Sequence, residues 1–153
     1  INVLTAENGG QVVSCSSQYN STSWGARNLI DGQLGSNHEY ASRNREPAEI
    51  VFALSKTETL SQLCFNPYTT ESPQTWAKRV QVEISTQGPK KGFQHVGEFT
   101  LHNQRSQDGQ TKLMEQCFDI EEVQARFVKL RLLSNHGGNY IEMGEFKAYS
   151  AVK

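Results

Sequence analysis

Hydrophobic and polar residues alternate along most of this chain with the two-residue period of a half-buried strand. The clearest stretch is 77–86, where Val80, Val82 and Ile84 share one face and Arg79, Gln81 and Glu83 the other. Residues 126–134 repeat the pattern, with Val128, Leu130 and Leu132 set against Phe127, Lys129, Arg131 and Leu133. Residues 49–54 group Ile50, Phe52 and Leu54, and 59–66 turn Leu63 and Phe65 inward. Strands are also expected at 11–17, 93–101, 113–120 and 140–149, of which 93–101 has the weaker pattern. Turn-rich segments separate them: 18–25, 67–75 with Pro67 and Pro73, 88–92, 102–109 and 135–139. Residues 26–30 fit one helical turn ending at Gly32, and Glu121-Glu122-Val123-Gln124 a short turn or single helical turn. Polar residues dominate 33–47, a loop of the length that compact domains often reserve for function. About eight short strands without a long amphipathic helix predict an all-β fold, an antiparallel sandwich or jelly roll.

Composition narrows the function. The 153 residues predict a single domain, 1–153, and show no internal repeat or linker. A net charge of −1 with 20% charged residues lacks the basic surplus of a nucleic-acid or anionic-membrane binder. Mean hydropathy is −0.60, and no apolar run is long enough to form a membrane-spanning helix. The chain opens at Ile1 with neither an initiator Met nor a signal peptide, as expected of a processed protein or an excised domain. Cys15, Cys64 and Cys117 are odd in number, and each lies beside apolar residues in a strand-like run. We read all three as buried free thiols. There is no Cys/His cluster of zinc spacing, and no nucleophile elbow, His-Glu-x-x-His or phosphate-binding glycine loop, so an enzyme is not expected.

Two carboxylates stand out. Asn28-Leu29-Ile30-Asp31-Gly32 packs two apolar residues, turns at glycine and presents Asp31. Gly144-Glu145-Phe146 puts a carboxylate inside the last strand. If the chain's two ends lie side by side, Asp31 and Glu145 with turn carbonyls make a hard-cation site. Ca²⁺ suits it best, since it accepts about six to eight oxygens in loose geometry. The plainer alternative is a turn cap and a surface charge.

The segments Trp24 to Gly32, Glu39-Tyr40-Ala41-Ser42 and Pro47 to Phe52, with Ala125 to Leu132 and Gly144 to Tyr149, resemble the opening and close of discoidin-type domains. These belong to the galactose-binding-like superfamily, together with coagulation-factor type C domains and many bacterial carbohydrate-binding modules. The resemblance implies a jelly-roll sandwich with a binding site in the loops at one end and a structural Ca²⁺ beneath them. Carried over residue by residue, it implies the carbonyls of Asn28, Gln33 and Gly144 and the carboxylates of Asp31 and Glu145 as ligands, with one more main-chain carbonyl from His38 or, in reserve, Ser36. The family's usual Trp is here Tyr40, and the terminal disulfide of the coagulation-factor members is absent. Together with the free-thiol reading, that points to a bacterial-type module, extracellular or on the cell surface.

The implied function is a non-catalytic carbohydrate-binding or adhesion module with a glycan partner of galactose type. The alternative is a protein-interaction module of a larger surface or secreted protein. A sugar site stacks an aromatic face on the ring and brackets its hydroxyls with polar side chains. The candidates are Arg43 and Asn44 in Arg43-Asn44-Arg45-Glu46, Trp76 after the proline-containing loop, and His136, Asn139 and Tyr140 before the last strand. Tyr19 and Trp24 offer aromatic surface in the first loop, although Trp24 and Tyr40 read more simply as packing residues.

Overall fold

The computed structural model describes residues 1–104 and 114–151. Two long strands organise it: β3 (Ala48–Asn66) and β6 (Gln116–Leu132). They run antiparallel, from Ala48 opposite Leu132 to Phe65 opposite Gln116. Their pairing is interrupted between Ala53 and Glu58, and each half of the pair builds a separate layer. The half that contains Ile50, Phe52 and Leu54 pairs with β1 (Gln11–Cys15), and through β6 with β4 (Arg79–Ser85) and β5 (Gln94–Thr100). The half that contains Leu63 and Phe65 pairs with β8 (Glu145–Ser150). Phenylalanine rings join the layers: Phe52 meets Phe146, Phe146 stacks on Phe65 at 5.1 Å, and Phe65 and Phe118 meet Phe99 of β5. The fold is an antiparallel β-sandwich, and the alternating residues of 77–86 and 126–134 fill its core.

Three strand readings change. Residues 49–54 and 59–66 are one strand, as are 116–120 and 126–132. Glu121 to Gln124 therefore continue β6 rather than forming a helical turn. A register shift between Leu60 and Gln62 explains why Leu60 and Leu63 are both buried despite their odd spacing. The last strand is split at Gly144 into β7 (Glu142–Met143) and β8. The expected strand start at Leu113 and residues 105–109 of the expected turn lie outside the described residues.

The cysteine reading is corrected for two of the three. Cys64 and Cys117 sit opposite each other on β3 and β6 with Cα atoms 4.1 Å apart, and they form a disulfide. Cross-strand partnership is a tertiary fact, which counting cysteines cannot reveal. Cys15 stays free and half-buried, its thiol pushed up by burial, with Sγ–H donating to the Ser17 carbonyl at 3.1 Å.

The chain's first and last segments are adjacent. Val3 N–H donates to Ala148 O, and Ser150 N–H to Ile1 O. At one end of the sandwich, β2 (Tyr40–Ala41) pairs with β7, setting Ala41 opposite Glu142. Trp76 bridges to Glu142 from the other side. This small ribbon gathers the loops 17–25, 39–47, 67–76 and 134–141.

Candidate functional site

Among the expected cation ligands, the structure brings Asp31, His38 and Glu145 together. A short 3-10 turn, Ala26–Ile30, buries Ala26, Leu29 and Ile30 and so fixes Asp31 at its end. Gly32 then adopts φ of +76°, a conformation that glycine reaches without strain, and its N–H donates to Glu145 Oε2 at 2.9 Å. Asp31 Oδ1 accepts from Gln33 N–H at 2.9 Å, and its Oδ2 lies 2.9 Å from His38 Nδ1. Glu145 is buried, and its Oε1 has no hydrogen-bond partner among the described residues. Burial pushes its pKa up to about 9; the Gly32 N–H opposes this, and the nearby Asp31 charge adds to it.

The other expected ligands were to act through backbone carbonyls, and their further contacts are these. The Asn28 side chain donates to the carbonyls of Thr22 and Glu39, both at 2.8 Å, tying two loops together. Gly144 is required by crowding: a Cβ there would lie 2.4 Å from the Tyr68 carbonyl. Ser36 is exposed in the turn 35–38, where His38 N–H donates to Gly35 O. Of the two alternatives, it is His38 that reaches Asp31, through its ring.

An orphaned buried carboxylate oxygen beside a second carboxylate is the donor chemistry that a hard cation satisfies. A cation would also have to take lone pairs that Asp31 now shares with His38 and Gln33. Elsewhere among the described residues, Cys64, Glu115 and Cys117 group their potential ligand atoms. The two sulfurs are bonded to each other, and Glu115 pairs with Lys147 at 2.8 Å.

The loop end holds the second site, a hollow of about 250 Å³ lined by Tyr19, Trp24, Ala41, Glu71, Tyr140 and Glu142. Tyr19, 57% exposed, meets Tyr140 edge-to-face with ring centroids 5.6 Å apart. Glu142 is buried because β2 and Trp76 flank it. Its Oε1 accepts from Thr69 Oγ1 at 2.6 Å and from Thr75 Oγ1 at 2.9 Å. Burial raises Glu142 to about 7; the two threonine hydroxyls oppose the rise, and the charges of Glu71 and Glu39 add to it. Glu39, also buried, accepts from the backbone N–H and hydroxyl of Thr70.

The expected sugar contacts divide. Tyr140 lines the hollow, and Asn139 Oδ1 beside it accepts from the Arg45 guanidinium at 3.1 Å. Arg43 and Asn44 are exposed on the adjoining loop. Asn44 Oδ1 is engaged by Glu46 N–H, and Arg43 lies close enough to Cys15 to favour its thiolate. Trp76 is corrected: it is 0% exposed, donates Nε1–H to Thr69 Oγ1 at 3.1 Å, and offers no ring face to a ligand. His136 is half-buried: its Nε2 is enclosed, and its pKa is lowered by burial and by Lys78, against a backbone hydrogen bond at Leu101. Glu71 and Glu142 were not anticipated. The available signal was a glutamate between Ile141 and Met143, two residues that the strand buries.

Solved structures share this architecture. A module titled CpGH89CBM32-5 from Clostridium perfringens, in complex with GalNAc-β-1,3-galactose, superposes with a TM-score of 0.78 at 15% identity, covering 98% of this chain and 100% of that one. The family 32 module of C. perfringens NanJ, in complex with galactose, gives 0.75 at 15% identity over 97% and 98%. Chitosan-binding module 1 from a Paenibacillus sp. IK-5 chitosanase/glucanase gives 0.72 at 16% identity over 98% and 99%. By sequence, no curated protein matches the chain. The F5/8 type C domain family matches residues 12–146, from the first strand into the last. The antiparallel sandwich, its adjacent ends and that match agree: the chain belongs to the F5/8 type C, or discoidin, family.

Proposed function

We propose that this domain is a non-catalytic carbohydrate-binding module whose sugar seat is the hollow between Tyr19, Trp24 and Tyr140. The observation that carries the reading is the tyrosine pair lining a small polar hollow, with Tyr19 exposed and Tyr140 half-buried. A ring stacks on an aromatic face, and the carboxylates of Glu71 and Glu142 with the Asn139 amide bracket hydroxyls. The volume is below the ~300–1,000 Å³ of drug-sized pockets and suits one sugar residue at a time. Single-site affinity is therefore modest, and avidity comes from repeated modules or repeated ligands. Structural neighbours named for bound galactose, a GalNAc-galactose disaccharide and chitosan support the class of ligand.

We assign Ca²⁺ to the Asp31–Glu145 cluster, where it would satisfy Glu145 Oε1 and hold the loop that carries Asp31 against β8. Its role is structural. The Cys64–Cys117 disulfide favours an oxidising, extracellular setting. No described helix is long and apolar enough to cross a membrane.

A glycan array run with Ca²⁺ and with EDTA tests the function. Binding to a restricted set of glycans is expected. Tyr140→Ala should weaken it at least about ten-fold, a loss of about 1.4 kcal/mol. A panel without any glycan hit, or binding unchanged by Tyr140→Ala and Tyr19→Ala, sinks the assignment of this hollow. Adhesion to a protein that free sugar does not compete would favour the protein-interaction alternative.

A further inference from the structure

The Cys64–Cys117 disulfide has more around it than a covalent staple needs. Cys64 has two cross-strand partners, Cys117 of β6 on one side and Lys147 of β8 on the other. Paired residues share a face of a sheet, so the three stand in a row, turned away from the core that Leu63 and Phe65 enter. Glu115, just before β6, reaches across that row to Lys147 at 2.8 Å. Cys64 is thereby 1% exposed, while Cys117 stays open to solvent. Glu115 divides its oxygens: Oε2 takes the Lys147 ammonium, and Oε1 stands 3.6 Å from Cys117 Sγ. Both sulfurs and a Glu115 oxygen lie within 4.8 Å of one another. Gln62 Oε1 is 3.7 Å from Cys64 Sγ. Two sulfurs and two side-chain oxygens thus gather on one patch of the sheet.

We propose that Cys64 and Cys117, once reduced, form with Glu115 a site for a soft divalent cation of the zinc class, and that the disulfide is the closed form of that site. Zinc holds thiolates at about 2.3 Å and carboxylate oxygens at about 2.1 Å, in a tetrahedron whose sulfur–oxygen edge is about 3.6 Å. The Glu115–Cys117 separation already matches this edge. The sulfurs have only to swing apart to about 3.8 Å, a rotation about their Cα–Cβ bonds that leaves the strand pairing in place. Gln62 or a water completes the fourth position. Thiolates favour zinc over the hard Ca²⁺ and Mg²⁺, so this patch and the Asp31–Glu145 cluster take different ions.

Opening the site takes two electrons. A small thiol, as its thiolate, attacks Cys117 Sγ, the exposed sulfur; the S–S bond breaks and Cys64 leaves as thiolate. A second thiol attacks the small molecule's own sulfur in the mixed disulfide, releasing the Cys117 thiolate and a small-molecule disulfide. The protein bond is reduced and the two small thiols are oxidised. Their two protons pass to Cys64 and Cys117 or, when zinc binds, to solvent. In oxidising surroundings the closed form prevails.

The domain is reduced with a phosphine, which becomes the phosphine oxide, and after removal of the reductant it is titrated with Co²⁺ in excess Ca²⁺ and without oxygen. The reduced protein should show a thiolate-to-cobalt charge-transfer band and the visible bands of tetrahedral cobalt, saturating at a single ion per chain. The oxidised protein should show neither. Zn²⁺ should bleach the bands, and Mg²⁺ should not. Cys15→Ser should leave them unchanged, and Cys117→Ser should abolish them. Glu115→Gln should weaken cobalt binding at least about ten-fold while its oxidised form keeps the disulfide. Far-ultraviolet circular dichroism of the reduced protein should retain the sheet signature. Absence of the bands in the reduced parent, the same bands in Cys117→Ser, or parent-like binding by Glu115→Gln overturns the proposal. Loss of the sheet signature on reduction overturns it too, since no scaffold would then hold the three ligands together.

Discussion

Glu142 and Glu145 are three residues apart on either side of Gly144, both buried, and their surroundings differ in kind. Glu142 receives two side-chain hydroxyls on one oxygen. Glu145 receives one backbone N–H on Oε2, keeps Oε1 bare and faces the charge of Asp31. The pKa values follow: about 7 for Glu142 and about 9 for Glu145. Hydroxyl donors oppose burial without cancelling it, so Glu142 lies at about 7, where its charged and neutral forms are balanced near neutral pH. A second carboxylate does the reverse, so Glu145 must hold a proton or a cation. On the reading proposed above, the two glutamates would serve opposite ends, one lining the sugar seat and one holding the cation.

The largest expected effect on this contrast is a pH response of the metal-free protein. Both folded-state values lie above the ordinary carboxylate value of 4.5. Between the two values the folded state holds protons that the unfolded chain has lost, so stability falls as pH rises. The contribution is fully present below about 4.5 and is lost past about 7 for Glu142 and about 9 for Glu145. Denaturant melts in EDTA across that range should show the decline, and Glu145→Gln should flatten its alkaline part. A flat profile in the parent would break the comparison.

Gly144→Ala comes next, because the new Cβ would meet the Tyr68 carbonyl and Leu34 Cδ2 at 2.4 and 2.9 Å. Overpacking against backbone costs about 3 kcal/mol. It should also weaken both sites, since Tyr68 precedes Thr69 and Glu145 follows the glycine. A melting temperature equal to the parent's would contradict the crowding.

Third is the cation itself. At free Ca²⁺ about a hundred times the dissociation constant, stability should rise by about 2.7 kcal/mol over EDTA. Mg²⁺ should substitute poorly, since it demands tighter octahedral geometry. Glu145→Gln should abolish the gain and Glu142→Gln should leave it intact. Equal sensitivity of the two variants would erase the distinction between the glutamates.

The smallest effects sharpen the Glu142 side. Thr69→Val removes an acceptor for Trp76 Nε1 as well as a donor to Glu142, and should cost about 2 kcal/mol. Thr75→Val removes the Glu142 contact and a local bond to Ser72 O, and should cost about 1 kcal/mol. Chemical denaturation of the pair checks the order, which reverses if Thr69 is not the hub.

By itself the sequence determined the inward faces of Val80-Val82-Ile84 and Val128-Leu130-Leu132, because side chains alternate along a strand whatever its neighbours. It also determined the turn at Asp31-Gly32, because glycine there is a local conformational requirement. The closeness of Asp31 to Glu145 was legible through the resemblance of both segments to one family. Tertiary structure decided which strands meet, and with that the disulfide between Cys64 and Cys117, 53 residues apart. It joined 49–54 to 59–66, because a strand that bends from one layer into the next reads locally as two. It buried Trp76, which its place after a polar loop could not foretell. It supplied Glu142 with threonines 73 and 67 residues away. Alternation states which way a side chain points but says nothing about what waits there, so partners drawn from distant loops become visible only once the chain has folded.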